Sequence, residues 1–201
     1  MDIDIREYRP EDEEEWMRVH AIIMSISHAW NYTIQKRPDY EGYESTRLVA
    51  VCDGAIVGLT DTQYENEAGE LCFVKDSRGG YVLEFGRLPE YGGRDIGKRL
   101  VDATVEDAKG KGVRRLEFWT QERKAQRYYL RLGMQEIGRH YRFRMKPPEA
   151  VQDVLDKKYI GVEYLYCACL PQEWPRIKEQ YDIVTKHPLE PHLCVGYEVR
   201  F

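Results

Sequence analysis

The apolar pattern of this chain changes period after Pro89, and that change restricts the folds open to it. Ahead of Pro89 the pattern is strand-like. Residues 48–52 and 55–60 flank Asp53-Gly54, a pair suited to a tight hairpin turn. A second hairpin is expected from residues 71–74 and 81–88 around Ser77-Arg78-Gly79-Gly80. Beyond Pro89, Ile96, Leu100, Val101, Thr104, Val105 and Ala108 recur at helical spacing and stop at Gly110 and Gly112. Residues 113–120 read as a strand. Ala125, Tyr128, Tyr129 and Leu132 read as a short helix ended by Gly133, and residues 134–145 as a strand. At the start, residues 3–8 alternate as a strand, and the acids at 11–15 open a helix at the positive end of its dipole. Trp16, Val19, His20 and Ile23 make its one buried stripe. A meander feeding a strand–helix–strand crossover predicts an α/β fold whose sheet has mixed pairing.

Lys146-Pro147-Pro148 is the clearest boundary signal, dividing residues 1–146 from an extension over 147–201. In the extension, Val151, Val154 and Leu155 suggest a helix and residues 162–170 a strand. Trp174, Ile177, Tyr181 and Val184 are helically spaced, and residues 193–201 are strand-like. The five cysteines are odd in number and lack framework spacing, which points to a reducing, cytoplasmic setting. Cys167 and Cys169 have no second Cys/His pair at ligand spacing, so no metal is expected. Neither a signal peptide nor a membrane span is visible. Within a chain of net charge −5, residues 87–146 carry sixteen Lys and Arg against eight Asp and Glu. A basic middle in an acidic protein suits a local site for a small anion and argues against nucleic acid as partner. Solvated helix faces are the other reading of the same residues.

Ligands in such sheets favour the carboxyl ends of strands beside a helix N-terminus, which here is residues 83–98. The run Leu88-Pro89-Glu90-Tyr91-Gly92-Gly93-Arg94-Asp95-Ile96-Gly97-Lys98 resembles the acyl-CoA motif of the GNAT N-acyltransferase superfamily, Arg/Gln-x-x-Gly-x-Gly/Ala entering a helix. Ala125-x-x-x-Tyr129-x-x-Leu132-Gly133-Met134 resembles the family's second signature. The resemblance spans residues 1 to about 146. It implies a mixed, mostly antiparallel central sheet flanked by helices, to which the last residues add a strand–helix–strand extension. Gly92 stands where the family has Arg or Gln, and Asp95 where it has its first Gly.

The resemblance implies acetyl-CoA as acyl donor and a small-molecule amine as acceptor. Gly92, Gly93, Arg94, Asp95, Ile96, Gly97 and Lys98 would then surround the pyrophosphate. Backbone N–H groups near Arg87 and Leu88 would polarise the thioester carbonyl. Asp95 has two readings. Either it turns away from a working loop, or it caps the helix by accepting from Gly97 or Lys98, as in a GNAT-fold binding or regulatory module without the chemistry. Tyr129 matches the family's Tyr, which protonates the departing thiolate. Glu84, on the strand leading to the loop, is the candidate base, with an ordinary exposed strand Glu as its alternative. Trp30 and Tyr32, in an aromatic stretch with Tyr40 and Tyr43, stand where the family builds its acceptor pocket; folding onto the core is their other reading. The extension can lengthen the sheet, cover the cleft, or pair two subunits as a homodimer.

Overall fold

The computed structural model describes residues 2–27, 34–149, 164–186 and 190–201. The chain forms two compact units, Met1–Ile137 with Gly196–Phe201, and Gly138–Val195.

The first unit begins with β1 (Ile3–Glu7) and α1 (Glu13–Ile26), then β2 (Ser45–Cys52), β3 (Ala55–Tyr64) and β4 (Gly80–Arg87). After β4 come α2 (Ile96–Gly110), β5 (Arg115–Thr120) and α3 (Arg123–Arg131). The end of β9 (His192–Arg200) completes its sheet, in the order β1-β2-β3-β4-β5-β9. β1 to β4 are mutually antiparallel, and β4 pairs with β5 in parallel. The sheet is therefore mixed and mostly antiparallel, as expected.

The Asp53-Gly54 turn forms as its residue types require. Both residues take positive φ, 50° and 83°, matching the turn to the strand twist. On α1, Trp16, Val19, His20 and Ile23 are the buried positions. On α2 they are Ile96, Leu100, Val101, Thr104 and Ala108. Together with Val49, Ala50, Ile56 and Leu59 these helical residues build the core.

The strand expected over residues 71–74 is absent. Two buried carboxylates organise that segment instead. Glu65 accepts from the backbone N–H groups of Gly69, Leu71, Cys72 and Gly79, and Glu117 from those of Phe73 and Val74. Backbone donors satisfied by side chains have no need of a partner strand.

The second unit is built on β6 (Gln135–Met145), most of which belongs to it. β6 pairs antiparallel with β7 (Leu165–Cys169) and with β8 (Ile183–Val184). Between them lies α4 (Trp174–Gln180), whose Trp174 ring packs against Tyr141 and Phe143 of β6. The helix expected at Val151, Val154 and Leu155 lies outside the described residues. The division differs from the expected boundary at 146/147. β6 continues through Met145 inside the second unit, and residues 196–201 return to the first.

Candidate functional site

The end of β4 departs from regular pairing in two ways. Asp61 of β3 opposes Glu84, but Thr62 opposes Val82, so Leu83 is an extra residue, a β-bulge. Pairing with β5 covers only Gly80–Val82 against Leu116–Phe118. From Leu83 onward β4 runs without a β5 partner. The N–H of Leu88 donates to the Val57 carbonyl (2.8 Å). Antiparallel alternation then turns the N–H groups of Arg87 and Phe85 away from β3, toward the side that β5 has left. Of the two positions expected to present a free backbone N–H, Leu88 is thus committed to the sheet, which leaves Arg87.

Beyond β4 the chain makes a 3-10 turn at Pro89–Tyr91. The Arg87 guanidinium folds over it, donating to the carbonyls of Leu88 (2.9 Å) and Pro89 (3.2 Å). Gly92 leaves room for that guanidinium, since an added Cβ would lie 3.3 Å from one of its nitrogens. Gly93 has φ 74°, and Asp95 is left-handed at φ 53°, ψ 17°. That conformation accounts for the glycine usual at this position in the motif, and Asp is among the few other residue types that tolerate it. The exposed Asp95 makes no side-chain cap bond. Of the two readings of Asp95, the one in which it caps the helix by accepting from Gly97 or Lys98 is not the one seen. The first helical bond runs from Arg99 to the Asp95 carbonyl (2.9 Å). The N–H groups of Ile96, Gly97 and Lys98 precede it and have no intrahelical acceptor. The Lys98 ammonium pairs with Asp102 (2.5 Å), Arg94 stacks over Tyr91 (5.1 Å), and Arg94 and Arg99 line an open depression with Asp2 and Ile3.

On α3, Glu122 caps the helix by accepting from Lys124 N–H (3.0 Å). Tyr129 is 5% exposed, its ring within 5.1 Å of Phe118, 5.5 Å of Tyr197 and 6.0 Å of Phe85. Burial, with Tyr128 and Tyr197 nearby, pushes its phenol well above the ordinary value, so it stays protonated. The neighbouring Tyr128 was not singled out from sequence. Its hydroxyl lies against the first turn of α2, where a Cβ at Gly97 would come within 2.6 Å of it. Gly97 is thus required by a side chain as well as by the open helix end. Burial, then the Asp95 charge, raises the Tyr128 phenol too.

Glu84 is buried rather than an exposed strand residue, and accepts from or donates to His20 of α1 (Nε2 to Oε2, 3.1 Å). Phe85 faces Tyr128 and Tyr129, while a Cβ on Gly86 would strike Ile23. Successive residues point to opposite faces, so α3 and α1 cover opposite sides of β4. Directly across from Glu84, the fully buried Asp61 accepts from Arg37 (2.6 Å) and from the Tyr40 hydroxyl (3.0 Å). Burial pushes the Asp61 carboxyl up to about 6, against the opposing pull of Arg37. The Arg37 guanidinium sits over the rings of Tyr8 (4.4 Å), Tyr40 (5.4 Å) and Trp16 (5.5 Å). Its backbone N–H donates to Glu13 (2.8 Å), which also accepts from Tyr8 (2.6 Å). Tyr40 thus belongs to a polar network under α1, not to a purely apolar wall. Trp30 and Tyr32 lie outside the described residues.

The structure therefore brings Glu84, Arg87 and Leu88 onto one strand end, with Gly92 to Lys98 continuing from it and Tyr129 on the α3 side. His20, Arg37, Asp61 and Tyr128 were missed. The only sequence signal for Asp61 is a lone carboxylate soon after the apolar run Ile56-Val57-Gly58-Leu59. Among the described residues no cluster of three or more His, Cys, Asp or Glu is placed to hold a metal, and no helix is long and apolar enough to cross a membrane.

The fold is shared with solved acetyltransferases. The Thermoplasma acidophilum PaiA N-acetyltransferase in complex with coenzyme A has 18% identity, covering 69% of this chain and 92% of its own, at TM-score 0.55. The Drosophila melanogaster polyamine N-acetyltransferase has 16% identity over 100% of both chains at TM-score 0.56. Arabidopsis thaliana Naa50 with the bisubstrate analogue CoA-Ac-MVNAL has 12% identity over 100% of both chains at 0.54. No curated protein sequence matches the chain. The family model of the GNAT acetyltransferases matches residues 3–134, through the strand end, the loop and Tyr129, and the chain belongs to the acetyltransferase (GNAT) family.

Proposed function

We propose that this protein transfers an acetyl or related acyl group from acyl-CoA directly to an amine. The observation that carries this reading is the left-handed Asp95. Its side chain makes no cap bond, and the N–H groups of Ile96, Gly97 and Lys98 have no intrahelical acceptor, as a pyrophosphate site requires. The alternative reading, a lapsed binding module, has Asp95 capping these donors, and that cap bond is not formed.

In the reaction, Glu84 takes the proton of the acceptor ammonium and the amine nitrogen attacks the thioester carbon. The Arg87 N–H stabilises the carbonyl oxygen as it gains charge. As the carbon–sulfur bond breaks, Tyr129 gives its phenolic proton to the departing thiolate, and the second proton of the attacking nitrogen leaves to solvent, from which Tyr129 is reprotonated. Gly92, Gly93 and Arg94 complete the cofactor loop, and the guanidinium of Arg94 supplies positive charge beside it. The acceptor is assigned to the α1 side of β4, near the loop that carries Tyr40, with Trp30 and Tyr32 as further contacts. Solved proteins of this fold include one named for polyamine and one held with a peptide-bearing analogue, and a small amine suits the charged network at Asp61 and Glu84.

We assign residues 147–201 an accessory role, with self-association through them to be checked by light scattering on the full chain; a monomer mass removes the homodimer. The free cysteines suit a reducing, cytoplasmic setting. The function is tested by calorimetric titration with acetyl-CoA followed by turnover of Tyr129→Phe. Micromolar binding is expected, with turnover of the variant lowered about 10²-fold and affinity for acetyl-CoA unchanged. Absence of binding at millimolar ligand overturns the reading, and unchanged turnover overturns the role of Tyr129.

A further inference from the structure

We propose that His20 is a positioning residue, holding the Glu84 carboxylate in the orientation from which it accepts the acceptor's proton. The proposal rests on the assignment of Glu84 as base and extends it to a second element of the fold.

The geometry converges on this pair from three sides. The bulge at Leu83 changes the phase of β4, which sets Glu84 opposite Asp61 rather than one residue out of step. Two residues on, Gly86 has no side chain, and α1 comes so close there that an added Cβ would lie 2.9 Å from two carbons of Ile23. That approach brings His20, about one turn before Ile23, to 3.1 Å from Glu84. The imidazole is itself fixed. It is 1% exposed and stacks on Trp16, one turn earlier, with centroids 4.9 Å apart and planes 10° from parallel. A ring held in this way commits one carboxylate oxygen, Oε2, to Nε2 and leaves Oε1 for the acceptor.

The other groups around Glu84 do not replace this contact. Across the strand, Asp61 is occupied by Arg37 and Tyr40 from the loop after α1. A second carboxylate opposite the first repels it and cannot orient it, and Arg37 is committed to Asp61 and to the rings of Tyr8, Trp16 and Tyr40. Among the described residues, His20 is the partner that reaches Glu84 directly.

The direction of the effect follows. Removing the imidazole frees the Glu84 side chain to rotate out of the orientation that faces the acceptor, so the rate falls while cofactor binding does not. A histidine that serves packing alone moves stability but gives no difference in rate between a substitute that reaches Glu84 and one that does not.

The experiment compares His20→Leu, His20→Asn and His20→Gln in the full chain, with acetyl-CoA and a diamine as probe acceptor. We expect His20→Leu to lower kcat/KM for the amine by about 10²-fold, the scale of a misplaced catalytic group, with KM for acetyl-CoA unchanged. His20→Gln, which keeps a side-chain N–H of similar reach, recovers to within about threefold. If the leucine variant fails to fold, asparagine, too short to reach the carboxylate, takes its place. Equal kcat/KM for the asparagine and glutamine variants, or an unchanged kcat/KM in the leucine variant, overturns the proposal. Glu84→Gln separates the two assignments: unchanged turnover in that variant overturns the base itself, whereas a crippled Glu84→Gln beside a normal His20→Leu overturns His20 alone.

Discussion

Asp95 carries the largest departure from the family motif, and its backbone explains why the departure is tolerated. At φ 53° the position is one that glycine fills without strain and that most other residues fill at a cost of about 1 kcal/mol or more. Asp95→Gly should therefore leave the loop intact and stabilise the fold by about 0.5–1 kcal/mol, with acetyl-CoA affinity equal or slightly tighter. Asp95→Val, β-branched at a positive φ, should destabilise by about 1–2 kcal/mol. Urea denaturation measures both. A loss of stability in the glycine variant would mean that the carboxylate has a structural bond of its own. The sequence shows the substitution but not the torsion angle. An Asp before an apolar helical run satisfies the rules for an N-cap and for a left-handed turn equally well, and only the backbone decides between them.

At the scale of elements, much of the fold was legible because local chemistry and tertiary structure agree. Asp53-Gly54 gives its turn, the stripes of α1 and α2 give their buried faces, and Gly110 and Gly112 end α2 where expected. The segment after β3 was not legible, because its order comes from side-chain carboxylates, one at its start and one, Glu117, 43 and 44 residues beyond the N–H groups it binds. Burial would raise the Glu65 carboxyl, but backbone N–H groups from Cys72, Leu71, Gly79 and Gly69 outweigh it and hold it below its ordinary 4.5. The buried guanidinium of Arg115, 2.6 Å from Glu117 and 3.4 Å from Glu65, ties this loop to β5. The same limit hid the pair of His20 and Glu84, which are 64 residues apart. Because the folded-state value of Glu65 is depressed, its contribution is fully present above pH 4.5 and is lost as pH falls through the lower, folded value. Glu65→Gln should remove that acid-side slope. It should also cost about 3 kcal/mol, since an amide NH2 group then faces backbone donors. Amide exchange at Leu71, Cys72 and Phe73 should quicken at neutral pH in the variant. Exchange unchanged from the parent protein would assign the order of this loop to Glu117 instead.

For the whole molecule, the decisive feature is that the chain returns to its first unit at the very end. Gly196 lets β9 lie against Trp119, where an added Cβ would come within 2.6 Å of the indole. Tyr197 packs its ring on Tyr129, Glu198 lies 3.4 Å from the buried Arg115, and the Phe201 N–H donates to the Arg114 carbonyl (3.1 Å). The candidate acid of the reaction is therefore walled in part by a residue 68 positions later in the chain. A boundary drawn at Lys146-Pro147-Pro148 puts residues 196–201 outside the first unit, whose sheet they lengthen. Deletion of those residues uncovers Tyr129, strips β5 of its neighbour and takes a carboxylate from Arg115. The combined loss should be about 4 kcal/mol or more, as for removal of a large buried aromatic. In a chain of this size that lowers the Tm by roughly 8–16 °C. Tyr197→Ala alone should reproduce most of the shift, and by letting water reach Tyr129 should bring its phenol back toward the ordinary value. Calorimetry on the deletion, the point variant and the full chain distinguishes the cases. An unshifted Tm in the deletion would place the limit of the first unit before β9, and a shift present in the deletion but absent in Tyr197→Ala would assign the stability to backbone pairing rather than to the ring.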